Sequence, residues 1–124
     1  MINLQLIEYR LCIRPRVLVN VSEVDTSTEI LGYRTSLPIG IAPSAMQKLT
    51  GGDGELDVAK TAVKMGLNLT LSSQATASLE DVAQIRQGGG IRDLPLPPFW
   101  MQIYLYEDVQ RSVDLIRRAE GIRY

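Results

Sequence analysis

The hydrophobic and polar positions of the chain follow two periods, which predict strands and helices in alternation. Apolar runs of strand length begin near Pro38, Leu67 and Phe99. Each run is followed by a segment with apolar residues at helical spacing. About thirty residues separate successive strands, which is the length of a βαβ unit. Because right-handed crossovers make such strands neighbours, the pattern predicts an α/β fold with a parallel sheet.

The first two units have clear boundaries in the sequence. A strand at 38–42 precedes a helix that we expect to begin after an N-cap at Asp53 and to end before Gly66. That helix places Leu56, Ala59 and Val63 on one face. A second strand at 67–72 precedes Ser78-Leu79-Glu80-Asp81, which resembles a capping box and predicts a helix to about Ile85.

The third unit follows a loop at 87–98 that is rich in glycine and proline. Its strand is predicted over 99–106, with one wholly apolar face and one face that carries Gln102 and Tyr104. A buried amide or phenol needs a hydrogen-bond partner. A ligand is one candidate partner, and neighbouring strands or buried water are the other. The helix after this strand should begin near Asp108, bury Val109, Val113 and Ile116, and end at Gly121.

The front of the chain has weaker signals. Residues 1–10 have the spacing of a helix end, and 17–24 alternate weakly, as in a short strand or an extended cover. Turn clusters at 25–28 and after Leu31-Gly32-Tyr33 predict irregular packing around one end of the main fold. The expected organisation is a front segment, 1–37, followed by the repeating units, 38–124.

Composition excludes several classes of function. The chain has 124 residues, a net charge of −1, one cysteine and no histidine. No general attraction to nucleic acid or to a membrane surface is expected, and the residues offer no set of ligands for a metal site. No secretory signal or membrane span is evident, so we expect a soluble, intracellular protein.

The polar residues at the strand ends favour a barrel over an open sheet. Ser44, Ser72, Gln102 and Tyr104 all lie at or near the carboxyl ends of the predicted strands, where barrels place their ligand groups. A complete barrel is typically about 250 residues long. The expected fold is therefore a partial (β/α)8 TIM barrel with about three βα units, as the first part of a larger domain.

Four segments resemble the FMN-dependent α-hydroxy acid oxidases and dehydrogenases, a family that includes glycolate oxidase, lactate oxidase and flavocytochrome b2. The run Ile41-Ala42-Pro43-Ser44-Ala45-Met46-Gln47-Lys48 resembles the family's first barrel strand. The other three segments follow the family's order: 14–18 with 24–28 before the barrel, 70–80 at the second strand and helix start, and 102–108 at the third strand. The likeness covers nearly the whole chain from about Tyr9 onward.

The resemblance implies a role for several residues. The backbone of Ala42, Pro43, Ser44 and Ala45 would pass along the flavin ring of FMN. Ser72 would bond the polar edge of the isoalloxazine, and Gln102 would offer its amide to the pyrimidine part of the ring. Tyr104 would direct its phenol at the substrate, a small 2-hydroxy acid. The resemblance also implies that the complete enzyme is a homo-oligomer.

Departures from the family pattern limit what this chain can do alone. The family's catalytic base is a histidine, and this sequence has none. Its substrate-binding arginine, flavin-facing lysine and phosphate-binding loops belong to later strands. We therefore expect a catalytically incomplete N-terminal part of an oxidoreductase that converts a 2-hydroxy acid to a 2-oxo acid, with weak or no binding of FMN. There are two alternatives. The chain could be a non-catalytic remnant that binds a flavin or a partner, or it could be a fragment that results from an incorrect gene boundary and has no function of its own.

Overall fold

The computed structural model describes residues 14–89 and 96–122. Within them, strands β1 (Thr28–Ile30) and β2 (Tyr33–Thr35) form an antiparallel hairpin. Strands β3 (Gly40–Ile41), β4 (Asn68–Ser72) and β5 (Trp100–Gln102) form a parallel sheet in the order β3-β4-β5. The helices are α1 (Glu55–Met65), α2 (Leu79–Gly88) and α3 (Val109–Gly121), and a short 3₁₀ helix covers Gln47–Thr50. The predicted α/β fold of three βα units is confirmed.

Strand β4 is the centre of the sheet. Gly40 and Ile41 pair with Asn68 and Leu69 on one side. Thr70, Leu71 and Ser72 pair with 100–102 on the other. Since all three strands run parallel, their carboxyl ends and the loops that follow them lie at one edge of the sheet. The functional residues predicted from the sequence therefore belong to this edge.

The core lies between β4 and the first two helices. Its fully buried members come from α1, β4, α2 and the start of the third unit: Ala59, Ala62, Val63, Leu69, Leu71, Leu79, Val82 and Phe99. The predicted inner face of α1 is confirmed, because Ala59 and Val63 are buried and Leu56 packs against them. Burial of this apolar surface is the main stabilising contribution to the fold.

The helix boundaries agree with the predictions to within a few residues. Ser78 is the N-cap of α2, and its hydroxyl accepts a hydrogen bond of 3.1 Å from the Asp81 amide, as the capping motif predicts. Helix α2 continues to Gly88, three residues beyond the predicted end. The predicted N-cap at Asp53 is wrong, since α1 begins after Gly54. Gly66, with a positive φ of 66°, ends α1 as predicted.

The front segment is more regular than predicted. Strands β1 and β2 form a two-residue hairpin around Leu31 and Gly32, which both have positive φ. Hairpin turns of this length require such backbone angles, and glycine adopts them without strain. No strand forms within 17–24, and the region is not an extended cover either, because all its residues are exposed and Leu18 has a positive φ of 61°. The predicted helix end at 1–10 lies outside the described residues.

The third unit departs most from its prediction. Strand β5 has three residues instead of eight, and residues 103–106 continue without strand pairing. Helix α3 buries Ser112 and Ala119, whereas Val109 and Ile116 are exposed. Helix α3 ends at Gly121 as predicted, and Ile122 follows as its C-cap. The predicted buried face of α3 is therefore wrong: Val113 is only partly buried. The residues that face the core are Ser112, Leu115 and Ala119. No helix in the described part of the chain is long and apolar enough to cross a membrane.

Candidate functional site

The carboxyl ends of β4 and β5 bring two predicted site residues together. Ser72 and Gln102 are the last residues of their strands and face each other in the parallel register. The Ser72 Oγ lies 3.5 Å from the Gln102 Oε1, at the limit of a hydrogen bond. The backbone amide of Ser73 also donates to Gln102 Oε1, at 3.3 Å. This contact holds the carboxamide against the end of β4.

The two side chains keep some hydrogen-bonding capacity. Ser72 is 6% exposed, and its hydroxyl accepts a hydrogen bond from the Gln74 amide at 3.1 Å. The partly buried Gln102 accepts bonds only through its oxygen, so its NH₂ group has no partner among the described residues. A serine hydroxyl beside a carboxamide NH₂ can offer both donors and acceptors to a polar heterocycle.

The residues after β3 form an exposed backbone segment. Ala42, Pro43, Ser44 and Ala45 are all exposed, and none has a side chain larger than proline. The carbonyl of Ser44 accepts a hydrogen bond of 3.2 Å from the side chain of Gln47. Backbone without bulky side chains permits close approach by a flat ligand, and the contact with the flavin ring that the resemblance implies for this segment stays a prediction.

Tyr104 lies beyond the end of β5 and is 58% exposed. It has no hydrogen-bond partner among the described residues, so its predicted contact with a substrate stays a prediction. Tyr106, two residues later, accepts a hydrogen bond of 2.9 Å from the Gln74 side chain. The guanidinium of Arg111 lies 5.2 Å from the centre of the Tyr106 ring, within cation–π distance.

A buried carboxylate, which the sequence analysis did not identify, lies behind these loops. Glu55, the first residue of α1, is 1% exposed. Its Oε1 accepts the amide of Gln47 at 3.1 Å and the amide of Thr76 at 2.8 Å. Its Oε2 accepts the hydroxyl of Thr76 at 2.6 Å.

These contacts determine the charge state of Glu55. Burial raises the pKa of its carboxyl group, but hydrogen bonds from Thr76, from its own amide and from Gln47 outweigh burial and lower the pKa to about 2. Glu55 is therefore ionised at neutral pH. The sequence signal was an acidic residue in the first turn of a helix, which is usually solvated and gives no indication of burial.

The described residues contain no cluster of histidine, cysteine and acidic side chains that could hold a metal ion. The polar groups at the carboxyl edge of the sheet are instead hydroxyls, amides and backbone groups, which suit an organic ligand.

The sequence profile of the FMN-dependent dehydrogenase family matches residues 8–124. The chain belongs to this family. FMN is thus the cofactor that the family assignment implies, as the resemblance of the strand-end motifs indicated.

Curated relatives agree with this assignment. The chain is 45% identical over 111 residues to glycolate oxidase 3 of Arabidopsis thaliana and 44% identical to glycolate oxidase of Spinacia oleracea. Each match covers 90% of this chain and 28% of the relative. The chain therefore spans little more than a quarter of the length of these enzymes.

Solved structures show the same fold. Mandelate oxidase with (S)-4-hydroxymandelic acid superposes with a TM-score of 0.77 at 35% identity, over 90% of this chain and 29% of that one. A flavocytochrome b2 variant with pyruvate bound gives a TM-score of 0.78 at 26% identity, over 92% and 28% of the two chains. These are TIM-barrel enzymes, and the three βα units of this chain correspond to part of such a barrel.

Proposed function

We propose that this chain forms one face of the FMN site of a 2-hydroxy acid oxidase or dehydrogenase. The observation that carries the proposal is the pairing of Ser72 with Gln102 at the carboxyl ends of neighbouring parallel strands. Barrel enzymes bind their ligands at this edge of the sheet. Family membership supplies the identity of the ligand, and the pairing of Ser72 with Gln102 supports this edge as the place where the chain would contact it.

The residues present fit the polar edge of a flavin. The pyrimidine part of the ring presents carbonyl and N–H groups, and the Ser72 hydroxyl and the free NH₂ of Gln102 offer complementary partners. The exposed backbone of 42–45 would lie along the ring. When bound, FMN would supply the acceptor for the two electrons removed from the substrate.

The relatives suggest the class of substrate. They are named for the oxidation of glycolate and mandelate, which are small 2-hydroxy acids. In the proposed site, the exposed phenol of Tyr104 would orient the carboxylate or the hydroxyl of such an acid. A neutral phenol donates a hydrogen bond to an anion without competing for the proton that the reaction releases.

Oxidation of a 2-hydroxy acid also needs a group that accepts the hydroxyl proton. This sequence contains no histidine, so the family's usual base is absent. We propose that the 124 residues alone do not oxidise glycolate, lactate or mandelate. Anaerobic mixing of the chain with FMN and each acid should leave the flavin absorbance unbleached, and bleaching that depends on the chain would contradict this.

Complementation tests the proposed flavin face directly. The chain would be co-expressed with a spinach glycolate oxidase from which the matching segment has been deleted. We expect the purified complex to retain FMN, and the Gln102→Ala and Ser72→Ala variants to retain less. Glu29→Ala, in the exposed hairpin, is the matched control. Equal FMN retention by all variants would reject the assigned face and favour a partner-binding remnant.

A further inference from the structure

Glu55 connects the two loops that carry the proposed flavin contacts. The first loop, residues 42–54, follows β3, and the second loop, residues 73–78, follows β4. One oxygen of the carboxylate accepts a backbone amide from each loop, that of Gln47 and that of Thr76. The second oxygen accepts the Thr76 hydroxyl. A single side chain thus bonds to both loops at once.

The connection continues from each loop toward the proposed site. In the first loop, the Gln47 side chain donates to the Ser44 carbonyl at 3.2 Å. In the second loop, the amides of Gln74 and Ala75 donate to the hydroxyl and the carbonyl of Ser72, both at 3.1 Å. Glu55 is therefore linked to Ser44 through Gln47 alone, and to Ser72 through the short turn that ends at Thr76.

Two further contacts join the loops beside the carboxylate. The amide of Lys48 donates to the Thr76 hydroxyl at 3.3 Å, and the amide of Met46 donates to the Gln74 carbonyl at 3.3 Å. The Thr76 hydroxyl thus donates to Glu55 while it accepts from Lys48. These two hydrogen bonds fix the orientation of the hydroxyl, and the methyl group of a valine could form neither of them.

The backbone at the start of α1 packs tightly against the first loop. Gly54, immediately before Glu55, has a φ of 59°. A Cβ atom at this position would lie 2.7 Å from the Lys48 nitrogen and 3.0 Å from the Gln47 carbonyl carbon. The first loop therefore packs directly on the start of α1, which brings its amides within reach of the Glu55 carboxylate.

We propose that Glu55 is a positioning residue, whose carboxylate couples the loops after β3 and β4 and so fixes the relative positions of Ser44 and Ser72. This inference rests on the proposed function for its biological meaning, because these loops carry the proposed flavin contacts. Glu55 itself is buried behind the loops and acts through Gln47 and Thr76.

Amide hydrogen exchange on the full 124-residue chain tests the coupling without FMN. Exchange would be followed by mass spectrometry with fragmentation to single amides, which also works if the chain associates. In the Glu55→Ala variant, we expect the amides of Gln47 and Thr76 to exchange about tenfold faster or more, as befits loss of hydrogen bonds to a charged group.

The decisive variants lie in the second loop. Thr76→Val should accelerate exchange at Gln47, which is in the first loop, whereas Thr76→Ser keeps the hydroxyl and should restore slow exchange. Glu55→Gln should have a smaller effect than Glu55→Ala, because the amide oxygen can still accept both backbone amides. Glu80→Gln is the control, since Glu80 pairs with Arg118 on the surface and its side chain forms no hydrogen bond to either loop among the described residues.

Each contrary result has a definite meaning. An effect of Thr76→Val confined to the second loop would overturn the inference, as would equal acceleration throughout β4 in Glu55→Ala. Fast exchange of both amides in the wild-type chain would overturn it as well. If Thr76→Val leaves exchange at Gln47 slow while the co-expressed complex retains FMN, only this inference is rejected. If Thr76→Val accelerates exchange at Gln47 while Ser72→Ala and Gln102→Ala retain as much FMN as the wild type, only the proposed function is rejected.

Discussion

The covered side of the molecule, at helices α1 and α2, differs from the exposed side, at β5 and helix α3, in how completely the described residues cover its apolar surface. Helices α1 and α2 bury residues such as Ala59, Ala62 and Val82 completely. Helix α3 leaves Val109 68% exposed and Ile116 43% exposed. The periodic pattern identified the buried face of α1, but in α3 it selected an apolar row that the described residues leave exposed.

The exposed side contains an apolar groove next to strand β5. Between β5 and α3 lies a groove of about 390 Å³. Its lining is mostly apolar and includes Trp100, Met101, Ile103, Leu115, Ile116 and Ala119. In a barrel, each strand has a neighbour on both sides, whereas among the described residues β5 pairs only with β4. The relatives are more than three times as long as the match, which leaves ample sequence for such a neighbour.

Paired truncations of leucine should give the largest contrast between the two sides. Leu69→Ala removes a side chain that is 2% exposed in β4, and we expect a loss of about 2 to 5 kcal/mol in the free energy of unfolding. Leu105→Ala removes one that is 86% exposed and should change it by less than about 0.5 kcal/mol. Urea titration followed by circular dichroism, at one chain concentration, measures both.

Equal losses for the two leucine variants would contradict the comparison. That result would mean that Leu105 becomes buried in solution, through association of chains or closure of the third unit. Repeating the titration at a tenfold lower chain concentration separates these causes, because only association depends on concentration.

Acid should weaken the covered side through Glu55. The pKa of its carboxyl is lowered from 4.5 to about 2 in the fold, so its ionised form stabilises the protein above pH 4.5. As the pH falls from about 4.5 to 2, protonation removes that contribution, which is at most about 3 kcal/mol. The free energy of unfolding, measured at steps across this range, should fall less steeply in Glu55→Gln than in the wild type.

A surface carboxylate provides the comparison for this pH dependence. Asp57 also has a lowered pKa, chiefly because the Asp53 amide and the Lys60 ammonium donate to it, but it is exposed. Asp57→Asn should therefore alter the acid dependence less than Glu55→Gln does. The same slope in Glu55→Gln and in the wild type would show that the buried carboxylate is not the group responsible.

The exposed side should promote association. An uncovered strand edge beside an apolar groove is a template for contact between chains. We expect the isolated chain to form oligomers at micromolar concentration. If the chain forms a defined oligomer, Ile116→Lys should weaken it roughly tenfold, in line with the burial of one half-covered isoleucine.

Analytical ultracentrifugation measures this association. Lys64→Ala, on the exposed face of α1, is a matched surface control and should leave sedimentation unchanged. A monomeric wild-type chain with a cooperative thermal transition would contradict the prediction and would mean that the three units are stable without a further partner.

The residues also show why prediction from sequence was accurate for some elements and wrong for others. Gly66 and Ser78 were identified because their effects are local: a positive φ ends a helix, and a side-chain oxygen caps one. The length of β5 was overestimated because strand pairing depends on a neighbour that is distant in sequence. Ser72 and Gln102 were predicted through family resemblance, and the structure confirmed only that they are adjacent.

Glu55 was missed for a related reason. An acidic residue in the first helical turn has the same sequence signal whether it is solvated or buried. Its burial depends on the approach of Gln47 and Thr76, which come from two separate loops. No local pattern encodes that approach, so only the folded structure could identify the residue.

The smallest predicted effect concerns the ion pair that joins the two sides of the molecule. Arg118 of α3 donates to both carboxylate oxygens of Glu80 in α2, from Nε at 3.0 Å and from a terminal nitrogen at 2.8 Å. Both side chains are about half exposed, so water and salt screen the pair. We expect Arg118→Ala to reduce the free energy of unfolding by about 0.2 to 1 kcal/mol, and the reduction to shrink at high salt.

Arg118→Lys separates the geometry of this ion pair from its charge. A lysine ammonium keeps the positive charge but cannot form two parallel hydrogen bonds to one carboxylate. If the forked contact holds α3 against α2, Arg118→Lys should resemble Arg118→Ala in urea titrations at low salt. If charge alone matters, Arg118→Lys should resemble the wild type. A loss well above 1 kcal/mol in either variant would show that α3 depends on this one polar contact, because the apolar face of the helix is largely uncovered among the described residues.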